Sequence, residues 1–143
     1  MGNRRKSREI AVQILYQLEI SNADIDDAIK TFWDIHRPAE DQKEFTITIL
    51  KGVLRYRSEI DTIIMKSSDH WSLKRMSHVD RSILREALYE LLYCPDIPLK
   101  VTIDEAVELA KKFGTEKSGS FINGILDKVA HQFSDKKPAA HEQ

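Results

Sequence analysis

The apolar residues of this chain recur in steps of three and four from Ile10 to Val129. That spacing puts them on one face of a 3.6-residue helix, whereas the alternation typical of a half-buried strand hardly occurs. The first stripe is Ile10, Ala11, Ile14, Leu15 and Leu18. A shorter one opens near Asp24, carries Ala28, Ile29, Phe32 and Trp33, and ends around His36–Pro38. The clearest is Phe45, Ile49, Gly52, Val53, Tyr56, Ile60, Ile63 and Ile64, which predicts one long third helix. Gly52 weakens an isolated helix by about 1 kcal/mol relative to alanine. Its place in the stripe predicts a close helix crossing.

A short helical turn is expected around Trp71–Met76. Ser77-His-Val-Asp80 then has the form of a capping box, followed by Val79, Ile83, Leu84, Ala87, Leu88, Leu91 and Leu92. Pro95 and Pro98 bracket a connector, because proline is excluded from a helix interior. Thr102-Ile-Asp-Glu105 resembles a second capping box, opening a helix with Ala106, Val107, Leu109, Ala110 and Phe113. Gly114 is placed to end that helix in a left-handed cap. The last helix starts near Ser118–Ser120 and carries Ile122, Ile125, Leu126 and Val129.

The count is about seven helices with short connections, and helices of this length need tertiary packing to be stable. An all-α bundle follows, in one helical domain over residues 1–133; a chain of 143 residues leaves little room for a second core. The polar stretch 134–143 is expected to be a disordered tail.

Catalysis finds little support in the residues. His36, His70, His78, His131 and His141 show no metal-ligand spacing with one another or with Cys94. Phosphate-cradling glycine motifs are absent, so no cofactor is expected. Asp104, Glu105 and Glu108 cluster where a helix dipole favours acids, a structural role rather than a chemical one. Cys94 precedes Pro95 without an identifiable base, and reads as a packing or loop residue. A single cysteine suits a reducing cytosol. No stretch approaches the roughly 18 apolar residues of a membrane span, and the N-terminus lacks the unbroken apolar run of a secretory signal, so a cytoplasmic location is expected.

Charge is more informative. The net charge is only −1, yet Arg4, Arg5, Lys6 and Arg8 precede the first acid. The segment Glu19–Glu44 then holds eight acids against three bases. Such segregation creates a local positive field that the total conceals. Cations at a helix N-terminus oppose its dipole by about 0.3–1 kcal/mol each. Stability alone would place acids there, so the cluster points to a polyanion, with a solubilising basic tail as the alternative. On a helical wheel Tyr16 falls opposite the apolar arc, as a contact residue or a partly covered surface tyrosine. Phe121 lies at the edge of the last stripe, either core periphery or a platform on which an unpaired base stacks. Asn123-Gly124 is unusual within a helix, and the favoured reading is structural: close packing at Gly124 and a buried amide at Asn123.

Together these residues resemble the NusB family. Arg4-Arg-Lys-Ser-Arg8-Glu with Ala11-Val-Gln-Ile-Leu-Tyr16 is similar to its arginine-rich motif and first helix. Val79-Asp-Arg-Ser-Ile-Leu84, Ala87-Leu-Tyr-Glu-Leu91, Ile97-Pro98, Ile103–Lys111 and Phe113-Gly114 continue the likeness. Phe121-Ile-Asn-Gly-Ile-Leu-Asp127 is its most specific block. The resemblance implies two packed helical subdomains, about 1–68 and 69–133, of three-helix type. It implies binding of single-stranded boxA RNA from ribosomal RNA leaders, together with ribosomal protein S-ten (NusE). Other Nus factors and RNA polymerase join indirectly, in antitermination and ribosomal RNA processing. By matching positions, Arg4, Arg5, Lys6, Arg8 and Phe121 take RNA-binding roles, and Tyr16 and Asp80 face the protein partner.

Two positions depart from the family pattern. Lys6 replaces a frequent arginine, keeping charge but losing the bidentate fork. Lys117 stands where some relatives carry an acid, and is expected to add phosphate attraction. Neutralising Arg4, Arg5 and Arg8 is expected to weaken RNA binding without unfolding the domain. Two rivals remain: a helical adaptor that binds only protein, and the helical part of a ribosomal RNA cytosine methyltransferase. The second would need a cofactor-binding α/β region that these residues do not contain.

Overall fold

The computed structural model describes residues 2–68 and 75–133, and their helical periodicity is realised as seven helices. These are α1 (Gly2–Ile20), α2 (Ile25–His36), α3 (Glu40–Arg55), α4 (Arg57–Ser67), α5 (His78–Tyr93), α6 (Leu99–Phe113) and α7 (Ser118–Phe133). No strand occurs among the described residues, and no helix there is long and apolar enough to cross a membrane. The turn expected from Trp71 falls largely outside the described residues, as does the tail 134–143.

Helix ends follow local chemistry. The Asp24 carboxylate accepts from the N–H groups of Asp26 and Asp27, at 3.0 and 3.3 Å, and starts α2. Arg37 closes α2 in the left-handed region at φ 44°, its N–H donating to the Trp33 carbonyl. Ser77 Oγ accepts from the Asp80 N–H at 3.0 Å, as its sequence predicted.

Three expectations change. The long third helix is two, α3 and α4, joined at Tyr56, whose φ of −103° and ψ of 15° leave the helical region. Its N–H still bonds the Gly52 carbonyl, and its own carbonyl accepts from Ile60. The hydrogen-bond ladder therefore continues through the joint, and so does the apolar spacing. Second, α6 begins at Leu99 behind Pro98, so Thr102 lies inside the helix, buried, with its hydroxyl 3.5 Å from Glu90. Third, Gly114 is extended rather than left-handed. A Cβ there would meet Ser118 Oγ at 2.5 Å, so crowding rather than chirality calls for glycine.

Helix α5 is the axis of the molecule. Its residues 81–91 are all buried, under α1, α3, α4, α6 and α7. Leu84, Leu88, Ile10, Ile14, Ile49, Ile122 and Leu126 are among the fully enclosed side chains of the core. The crossing expected at Gly52 is with this helix: a Cβ there would lie 2.0 Å from Tyr89 Cε1. Four charges are also buried in α5, and burial requires them to be paired. At 100° per residue, Arg81 and Arg85 lie on one side, and Glu86 and Glu90 about 140° round from Arg81 and beyond. On the first side, Glu19 of α1 accepts from Arg81, Arg85 and His78, and Asp61 of α4 accepts twice from Arg85 at 2.8 and 3.0 Å. On the other, α5 receives Arg8.

Candidate nucleic-acid interface

The basic cluster lies in the opening turns of α1, as its spacing predicted, and its members divide by environment. Arg4 and Arg5 are exposed, and Lys6 is half-buried. Arg8 faces inward at 4% exposure, contrary to its expected place on a solvated arm. Its Nε and Nη2 donate to the two Glu90 oxygens at 2.7 and 2.8 Å. Burial alone would lower the Arg8 pKa, but the hydrogen bonds and charge of Glu90 raise it above its usual value. The expectation that neutralising the whole cluster spares the fold therefore fails for Arg8. The signal was present: Arg8 precedes Ala11, Val12 and Leu15 by three, four and seven residues, the core spacing.

The exposed members are seated rather than free. The Arg4 guanidinium lies 4.3 Å over the centre of the Phe45 ring on α3. Arg5 forks onto Glu105 of α6, Nε to Oε1 at 3.1 Å and Nη2 to Oε2 at 2.7 Å. That bond and charge raise the Arg5 pKa and lower that of Glu105. Lys112 of α6 also reaches back to Glu9 at 3.0 Å. The acids that α1 lacks in its first turn are thus supplied by a neighbouring helix.

One groove extends from this arm and a second adjoins it. One joins Arg5 to Glu105, Glu108, Lys111, Ser120 and Asn123 along α6 and the start of α7. The second holds Phe121 and Lys117 with Arg75, Met76, Asp80 and Ser120. Ser120 lines both, so Arg5 and Phe121 belong to one surface strip. Phe121 is half-buried and Lys117 exposed on the α6–α7 connector. Tyr16 is half-buried, its ring edge-on to His78 with centroids 6.3 Å apart. His78 and Asp80 share the first turn of α5 but are two residues apart and point to different sides, so Asp80 lines the second groove and Tyr16 lines neither groove. Asp80 Oδ1 is buried without a hydrogen-bond partner.

Asn123 and Gly124 reverse their expected role. Both are exposed, and a Cβ on Gly124 would meet nothing within 4 Å. No packing explains this glycine. Asn123 instead lines the first groove. Glu105 also lines this groove, a place its sequence did not signal, because Thr102-Ile-Asp-Glu105 has the form of a capping box that does not open the helix.

Comparison with known proteins agrees with this architecture. The NusB family model matches residues 5–131. The transcription antitermination protein NusB of Geobacter sulfurreducens is 48% identical over 137 residues, covering 95% of this chain and 99% of the relative. A structure of T. maritima NusB superposes with a TM-score of 0.83 at 42% identity, covering 90% of each chain. A crystal structure of the antitermination factors NusB and NusE in complex with dsRNA superposes at 0.84, with 27% identity over 92% of this chain and 98% of that one. With the family model running from Arg5 through the central helix and both grooves, the chain belongs to the NusB family.

Proposed function

We propose that this chain is a transcription antitermination factor that binds single-stranded boxA-type RNA of ribosomal RNA leaders together with ribosomal protein S-ten (NusE). It works without catalysis and in the cytoplasm, reaching other Nus factors and RNA polymerase through that complex. The observation that carries the reading is the strip from Arg5 to Phe121, which sets cations beside an aromatic platform. Phosphates meet Arg4, Arg5, Lys6 and Lys117, and an unpaired base stacks on Phe121, at about 1–3 kcal/mol per base. The protein partner meets Tyr16 and Asp80. Arg8 serves by holding α1 in place.

The test is fluorescence anisotropy with a boxA-like strand, a scrambled strand and the boxA-like strand annealed to its complement, each with and without S-ten. Preference for the boxA-like single strand, strengthened by S-ten, is expected. Four phosphate contacts give a log K against log salt slope of up to about −2.8. Indifference to every RNA would leave a helical protein adaptor as the better account.

A further inference from the structure

Arg5 also borders a third groove, between the arm and the connector that leads into α6. Its two walls differ in chemistry. The α1 wall carries Arg4 and Arg5, and the opposite wall is Ile97, Pro98 and Val101, with the exposed Asp96 beside them. Pro98 and Val101 are exposed, Val101 to 42%, and lie one helical turn apart, next to the buried Ile97. A lone exposed valine calls for no explanation, but this apolar wall faces two cations that still have donors to offer. Glu105 takes only Nε and Nη2 of Arg5, which leaves the Nη1 side of a 54% exposed guanidinium for another anion. Arg4 sits 4.3 Å over the centre of the Phe45 ring, a contact with π electrons that engages none of its N–H donors. The groove holds about 500 Å³, within the roughly 300–1,000 Å³ of small-ligand sites.

We propose that this groove is a further subsite of the RNA surface. A nucleobase lies against Pro98 and Val101, while its flanking phosphates meet Arg4 and the Nη1 side of Arg5. Cations on one wall and apolar atoms on the other match the two halves of a nucleotide. Asp96 stands on the apolar wall and repels phosphate, which turns the backbone towards α1. An acidic, apolar peptide would fit the same walls. RNA is favoured because Arg5 lines both this groove and the first, so a strand bound along the strip reaches Val101 without leaving the surface. The inference rests on the RNA reading above.

The test is anisotropy with a boxA-like strand extended by uridines at both ends and then shortened one nucleotide at a time from either end. Val101→Ala removes apolar surface and no charge, and alanine is the better helix former, so α6 is kept. It is expected to weaken binding of the full strand about two- to fivefold, with the salt slope unchanged. Arg4→Gln is expected to weaken the same strand and to flatten its slope by about 0.7. Shortening from one end should abolish both effects together, whereas Phe121→Ala weakens the shortened strand as well. Such non-additivity between a side chain and a nucleotide is the mark of a direct contact. Ile35→Ala, which trims an exposed apolar side chain on α2, is expected to change nothing. An unchanged full-strand affinity in Val101→Ala would overturn the inference, as would a loss that persists at every length. So would weaker binding of S-ten with every strand unaffected, which would give the groove to the protein partner. If the parent itself binds no strand, the RNA reading fails, and the inference with it.

Discussion

Arg8 on α1 and Glu90 on α5 form a bidentate ion pair with side chains only 5% and 1% exposed. The pair fastens the helix that carries the basic arm to the central helix of the fold. Removing one partner of a buried pair strands the other charge, at about 3–5 kcal/mol. Arg8→Ala is therefore expected to lower stability by that amount in urea unfolding, while Arg5→Ala leaves it nearly unchanged. Equal effects of the two substitutions would contradict the division of the cluster.

Glu86 lies beside this pair, buried, with Oε2 unbonded. Burial, and then the neighbouring Glu90, push its carboxyl well above the usual 4.5. An acid raised in the folded state favours folding at low pH, and that advantage is lost as pH rises above 4.5. Glu86→Gln, permanently neutral and still able to donate, is expected to be more stable than the parent at pH 7. The gap should close towards pH 4; thermal melts across that range check the sign.

The opposite face of α5 has the opposite pH dependence. Burial alone would raise the Glu19 pKa, but hydrogen bonds from Arg81 and His78 and the charge of Arg85 lower it to about 2. Its contribution is complete above 4.5 and is lost as pH falls from there to about 2. With screening, about 1–3 kcal/mol disappears over that window. Glu19→Gln is expected to be less stable at pH 7 and to show a shallower loss of stability on acidification.

Two glycines in helices should respond oppositely to alanine. At Gly52 the new methyl would stand 2.0 Å from Tyr89 Cε1, so the ring must move, at about 1–3 kcal/mol of overpacking. At Gly124 it meets nothing, and helix propensity predicts a gain of up to about 1 kcal/mol. Unfolding midpoints of Gly52→Ala and Gly124→Ala check this directly. If Gly124→Ala also weakens RNA or partner binding, the glycine is there for a close approach from outside.

The helical fold was legible because its information is local: stripe spacing, the Ser77 cap and the proline connector each act within a few residues. The joint at Tyr56 was not, since neither proline nor glycine marks it and the hydrogen-bond ladder passes through. Thr102-Ile-Asp-Glu105 misled because it has the composition of a cap, while Pro98 had already started the helix. The basic cluster was visible as charge, but charge does not say which cation faces inward. Arg8 differs from Arg5 only by its register with Ala11 and Leu15 and by the acids that distant helices bring to each. Glu105 and Asn123 gained their places through tertiary contact alone.

In the proposed function one strip, from Arg5 past Ser120 to Lys117 and Phe121, receives RNA. Amide chemical-shift mapping by NMR during titration with a boxA-like strand tests this most directly. The largest changes are expected at residues 4–6 and 115–124, with α2 undisturbed. Changes centred on α2, or none along the strip despite binding, would contradict it.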